Sequence, residues 1–183
     1  MAQKYVMYGF NFHPEVREFI TPKVYDTFSD AVDAMRQEWE NYQNEYILDT
    51  WFDGFSDIED EDEEVAQEIE EDYRSLNYVE EFGNTAKAVS EGGGEFTEPQ
   101  YLRVEPLNCK HAVLVAIDPE FEVRIAYEND SIDEIRTMIV QAIIETTADM
   151  KLPMAWAFDG CLHVWENDGD EPMDDRYYML IEA

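Results

Sequence analysis

Basic residues are scarce in this chain. Lys and Arg number 12 against 44 Asp and Glu over 183 residues, so the formal net charge is −32 at pH 7. Only five of the basic residues are lysines, and no two basic residues are adjacent. A direct nucleic-acid binder needs a basic footprint, and this chain has none to offer. Docking on anionic lipid needs a polybasic cluster, which is also missing. The two cysteines, Cys109 and Cys161, are too few for a disulfide scaffold. No apolar run reaches the length of a membrane span. The first ten residues lack a charged segment followed by a long apolar run, so no signal peptide is read there. A cytoplasmic location is the expectation.

What is present argues against disorder. Hydrophobic residues make up 45% of the chain and aromatics 14%. A chain of this length with that supply can bury roughly two-thirds of its unfolded surface. Charged residues, at 31%, are only a little above the ~25% of ordinary domains, so the anomaly is in their sign. Self-repulsion at this charge destabilises the compact state, and added salt should stabilise it.

The pattern along the chain predicts α+β, with a mostly antiparallel sheet and about three helices, one of them strongly acidic. Lys4–Phe12 reads as a strand, and Pro22–Tyr25 as a short second one. Thr27 with Asp30 caps a helix whose apolar stripe runs Phe28, Ala31, Val32, Met35, Trp39, Tyr42 and Tyr46. A second helix is predicted from about Asp60 to Leu76, on the spacing of Val65, Ile69, Tyr73 and Leu76. No strand is assigned over Asn77–Glu98, where Gly92-Gly93-Gly94 reads as a linker or loop. That run divides the chain into 1–91, acidic and α-rich with one or more N-terminal strands, and 92–183, α+β; a single domain with a glycine loop is the alternative. Strands follow at Tyr101–Val104, His111–Ile117 and Phe121–Tyr127. Ser131 with Glu134 caps a helix to about Thr147. Asp159-Gly160 marks a hairpin between Met154–Phe158 and Cys161–Trp165, and Tyr177–Ile181 is the last strand. No internal repeat shows at a fixed period.

Motifs for chemistry are few. There is no phosphate-binding Gly-rich loop and no Gly-x-Ser-x-Gly elbow. Three histidines and two cysteines form no nucleophilic motif. Cys109-Lys110-His111 and Cys161-Leu162-His163 would supply two cysteines and two histidines to zinc if their strands lay side by side, but ordinary strands are the plainer reading. Asp57-x-Glu59-x-Glu61 alternates like a calcium loop, yet lacks the glycine such a loop needs at its sixth position. Carboxylates are too many for a glycosidase pair to be picked out by counting. No metal, no cofactor and no enzymatic activity are expected.

The charge itself is therefore the most informative feature. Both halves carry it, at −18 for 1–91 and −14 for 92–183. No basic residue lies between Arg36 and Arg74, where 16 carboxylates are set among Trp39, Tyr42, Tyr46, Trp51, Phe52 and Phe55. Duplex DNA carries one charge per about 1.7 Å of axis. An acidic helix rising about 1.5 Å per residue has a comparable density. In this composition the chain is similar to the small acidic DNA mimics of phages and mobile elements, the anti-restriction and anti-CRISPR proteins among them. The resemblance implies an inhibitor that occupies the positively charged nucleic-acid groove of a defence nuclease or CRISPR effector. The candidate binding residues are Asp49, Asp53, Asp57, Glu59, Asp60, Glu61, Asp62, Glu63, Glu64, Glu68, Glu70, Glu71 and Asp72, acting as phosphate-like acceptors for Arg and Lys. The expected partner is a basic nucleic-acid-binding protein, not nucleic acid or membrane, and a homodimer would extend the acidic surface. The alternatives are an immunity or antitoxin-like protein that neutralises a basic nuclease toxin, and an acidic soluble protein with no mimic role.

Overall fold

The computed structural model describes residues 3–12, 17–46, 77–90, 100–117, 122–158, 160–166 and 173–183. The chain runs β1 (Lys4–Asn11), β2 (Glu18–Tyr25), α1 (Phe28–Tyr46), β3 (Asn77–Phe82), β4 (Thr85–Ser90), β5 (Gln100–Leu107), β6 (His111–Ile117), β7 (Glu122–Asn129), α2 (Ile132–Thr147), β8 (Pro153–Phe158), β9 (Cys161–Glu166) and β10 (Met173–Glu182). The fold is α+β and its sheets are antiparallel. Two helices, not three, lie among the described residues, and the expected acidic helix from Asp60 to Leu76 lies outside them.

The strands form two five-stranded sheets. Their orders are β2-β1-β5-β4-β3 and β7-β6-β10-β9-β8. These are one order written twice. Among the described residues each sheet is built from the same succession, strand, strand, helix, then three strands, which makes two ββαβββ units of identical topology. The repeat is one of topology rather than of sequence period, because the connections differ in length. Its clearest sequence trace lies at the helix starts, in Asp26-Thr27-x-x-Asp30 and Asp130-Ser131-x-x-Glu134. Thr27 Oγ1 accepts the amide of Asp30 at 3.1 Å, and Ser131 Oγ accepts that of Glu134 at 3.4 Å.

The sheets stack face to face. Val6, Tyr8 and Phe10 of β1 point into the interface with Phe19, and Ala112, Leu114 and Ala116 of β6 meet them with Val123, Tyr177 and Ile181. Phe10 sits at the centre, its ring 4.7 Å from Phe12, 5.0 Å from Phe19 and 4.8 Å from Tyr177. Residues of the opposite parity face the helices. Met7, Leu102 and Val104 pack under α1, and Val113, Val115 and Ile117 lie in the cluster with Ile135 of α2. The layer order is helix, sheet, sheet, helix. Burial on both faces explains why β1 and β6 are continuously apolar rather than alternating.

The stretch left without strands from Asn77 holds a hairpin instead. β3 and β4 pair from Asn77↔Ser90 to Phe82↔Thr85 around Gly83, whose φ of 63° suits glycine. Its counterpart is the expected hairpin β8–β9, which turns at Gly160 with φ 79°. β5 lies beyond the glycine run but pairs with β1 and β4, so the chain changes sheets at residues 108–110.

The helices sit differently on their sheets. α1 crosses β1, β5, β4 and β2, and buries Ala86, Ala88, Leu102 and Val104. α2 packs chiefly on β7 and β6, and among the described residues no helix lies squarely over the outer side of β8 and β9.

Candidate interaction surfaces

The thirteen carboxylates singled out by sequence all fall within residues 47–76, the connection from α1 to β3, and lie outside the described residues. The topology nevertheless says something about that connection. In the second unit the same link, from α2 to β8, takes five residues, 148–152. In the first it takes 30, carrying 13 acidic residues and one basic residue, Arg74. The second ββαβββ unit closes without such a segment.

The connection re-enters the fold at β3, an edge strand. Tyr78 and Phe82 are exposed there, on the face that carries Glu80. Lys87 of β4 pairs with Glu80 at 3.2 Å and lies over the Phe82 ring at 5.7 Å. Arg36 of α1 pairs with Glu81 on the other face. Next along the sheet, Arg103 lies 3.7 Å from Glu105. Burial, then the Glu105 carboxylate, holds the Tyr8 hydroxyl well above its usual range.

A charged cluster joins the two sheets. Asp175 on β10 is 1% exposed. Arg17, just before β2, donates through Nη1 to its Oδ2 at 2.9 Å, and His163 Nε2 lies 3.2 Å from its Oδ1. The His163 ring stacks on Tyr177 at 4.2 Å and on Trp165 at 4.4 Å. Histidine beside aspartate has the parts of a proton-transfer pair. Its packing between two rings, and its carboxylate held by an arginine of the other sheet, make it a tie between layers. Arg17→Met would leave the buried Asp175 poorly compensated, and should destabilise the fold by about 3 kcal/mol in urea titration. An unchanged midpoint would show that the tie contributes nothing.

Neither cysteine is poised for chemistry. Burial pushes the Cys161 thiol up to about 11, opposed by the Tyr178 backbone. Partial burial, then the Asp130 and Glu128 carboxylates, raise the Cys109 thiol. The two Cys-x-His pairs do not meet. β10 separates β6 from β9, and His111 points to the α2 side of the sheet while His163 points to the other sheet. Among the described residues no group of three or more metal-ligating side chains comes together.

No protein-family model, no curated protein and no solved structure matches the chain. Among the described residues no helix is long and apolar enough to cross a membrane.

The open side of the second sheet is the surface that sequence reasoning missed. Between α2 and β8–β9–β10 runs a groove of about 400 Å³, lined by Ile139, Ala157, Leu162, Tyr178 and Leu180. Val140 and Ile144 on the outer side of α2 are each 56% exposed, while Trp156 on β8, paired with His163, is 64% exposed on the opposite face of the sheet. A signal was available. Val140 and Ile144 lie outside the stripe of Ile135, Ile139, Ala142 and Ile143 that packs on the sheet, and so widen the apolar surface of α2 beyond what its own sheet covers.

Proposed function

We propose that the chain is a DNA-mimic inhibitor, encoded by a phage or mobile element, that blocks a basic DNA-binding defence nuclease of the restriction or CRISPR type. The observation that carries this reading is the contrast between the two helix-to-strand connections. One closes the unit in five residues and the other spends 30, 13 of them acidic. A solubility device would not need to be concentrated in this way, since a net charge of magnitude about 2–8 suffices for a small domain. A basic groove meets spaced carboxylates with the same Arg and Lys that it uses on phosphates, and the attraction speeds encounter. The exposed Tyr78, one residue into β3, offers an aromatic anchor at the end of the connection, and Phe82 a second at the far end of the same strand.

The test is capture followed by competition. Immobilised protein should retain a nuclease from host lysate, and duplex DNA should displace it. Affinity should fall by about 10³-fold or more between about 50 and 200 mM salt, as for a protein making 6–10 phosphate contacts. Glu59→Lys, Glu61→Lys, Glu63→Lys and Glu70→Lys together should abolish retention with the fold intact by circular dichroism. Retention at full strength by this variant would overturn the reading. Loss of retention in the variant without competition by DNA would favour the immunity-protein alternative.

A further inference from the structure

We propose that a pocket between the end of α2 and the second sheet binds a small zwitterion, of the class of α-amino acids with apolar side chains. This stands apart from the mimic reading, because it uses neither residues 47–76 nor their charge. The pocket holds about 340 Å³, at the small end of the ~300–1,000 Å³ of ligand sites, and the residues that line it are all among those described. Its floor carries an arginine where the first unit has apolar residues. Arg176 lies on β10, between Ile117 of β6 and Val164 of β9. β10 holds the place in its sheet that β5 holds in the other. On β5 the positions under the helix are Leu102 and Val104, both fully buried, whereas β10 presents Arg176 and Tyr178. The chain has 12 basic residues against 44 acidic ones, yet this arginine finds no carboxylate. Among the described residues its Nε is buried without a hydrogen-bond partner, and no ion pair joins it to Glu145, Asp149 or Glu166 of the same pocket.

The rest of the lining says what such an arginine can hold. Tyr178 is the next residue along that face of β10, and its hydroxyl lies 3.0 Å from Thr146 Oγ1 of α2. Their mutual bond uses one hydrogen and leaves the other to donate. A guanidinium and a hydroxyl are the donors that hold a carboxylate. Arg124 of β7 also lines the pocket, but it is already paired with Glu122 at 3.1 Å. The mouth has the opposite sign. Glu145 and Asp149 are exposed there, and the last turn of α2 has no basic residue to balance the negative end of its dipole. An anion is favoured at the floor and a cation at the mouth. A dianion such as phosphate is repelled by the mouth, and a simple cation by the floor. A molecule with one carboxylate and one ammonium satisfies both. Being neutral, it is not turned away by a chain of net charge −32. Val115, Ile117 and Ala142, all buried, give its side chain an apolar wall.

Isothermal titration of the full chain with L-leucine, L-isoleucine, L-methionine and L-phenylalanine tests this. At least one should bind with a dissociation constant of about 1 mM or tighter, as expected of a ligand of about ten non-hydrogen atoms. Its N-acetyl derivative lacks the ammonium and its methyl ester lacks the carboxylate, and each should bind at least about tenfold more weakly. Arg176→Leu, which carries the apolar solution of the first sheet across, should abolish binding with the melting temperature unchanged or higher. Arg176→Gln should abolish binding likewise. Glu145→Gln with Asp149→Asn should bring the affinities of the amino acid and its N-acetyl derivative together, because the mouth then no longer tells them apart. No binding by any of the four amino acids overturns the proposal. So does binding that survives both Arg176 variants, which places the amino acid elsewhere, and so does an N-acetyl derivative that binds as tightly as its parent. A large fall in melting temperature for both Arg176 variants would make the residue structural and would overturn the proposal as well.

Discussion

Phe10→Ala is expected to lower stability by about 3–5 kcal/mol, the ordinary range for removing a buried aromatic ring. That is a large share of the roughly 5–15 kcal/mol that holds most domains folded. For a chain of this size each kcal/mol moves the melting temperature by about 2–4 °C, so the variant should melt at least about 6 °C early, and nearer ~12 °C in the middle of the range. The reason lies in where Phe10 sits. It is on the inner face of β1, with Phe12 and Phe19 on its own side and Tyr177 of the other sheet above it. Truncating it opens a cavity at the seam between the two ββαβββ units, where neither sheet can relax without disturbing its register. Phe82→Ala is the paired control. The same ring is removed from an exposed hairpin position, and the change should stay within about 0.5 kcal/mol. Equal losses at both positions would mean that the sheets do not stack through β1.

The contrast between those two phenylalanines also marks what sequence can reveal. Elements fixed by local chemistry were legible. Ser131-x-x-Glu134 announces α2, and the helix begins at Ile132 and ends at Thr147 as expected. Asp159-Gly160 announces the β8–β9 hairpin. The unbroken apolar run of β6 announces a buried strand. The β3–β4 hairpin was missed because its exposed edge carries Glu80, Glu81 and Lys87. Its buried positions, Ala86 and Ala88, are too small to draw attention, and become intelligible only once α1 is known to press on them. Pairing between β1 and β5, and stacking of the sheets, are long-range facts that no window along the chain contains. The repeat was hidden for a related reason. Two units can share a topology while sharing little more than a capped helix start, when one connection is stretched from five residues to 30. At the candidate site the acidic residues were obvious by composition, and their place as an added connection was not. His163 was noticed with the wrong partners, because strand order puts it beside Asp175 rather than beside His111.

Replacing residues 47–76 by Ala-Asp-Met-Lys-Leu, the sequence that joins α2 to β8, should give a folded chain that no longer binds the proposed target. The substitution carries the fold's own solution from one unit to the other. Five residues reach about 17 Å when extended, and they span the same topological gap at 148–152. On the logarithmic length law, shortening a connection from 30 residues to five lowers its closure cost by at most about 1.5 kcal/mol. The net charge changes from −32 to about −20, since 13 acidic residues and one basic residue are removed and a neutral linker is added. Both effects stabilise, so the melting temperature at low salt should rise by a few degrees, and its increase with added salt should flatten. Thermal melts at two salt concentrations measure the first effect, and retention of the nuclease measures the second. A shortened chain that folds but still binds would place the interface on the scaffold, and would remove the acidic connection from the mechanism. A shortened chain that fails to fold would show that the connection belongs to the core and is not an addition carried by the first unit. The expected outcome separates the two roles that the composition merges: a duplicated sandwich that holds the chain together, and a carboxylate-rich connection that the sandwich carries but does not need.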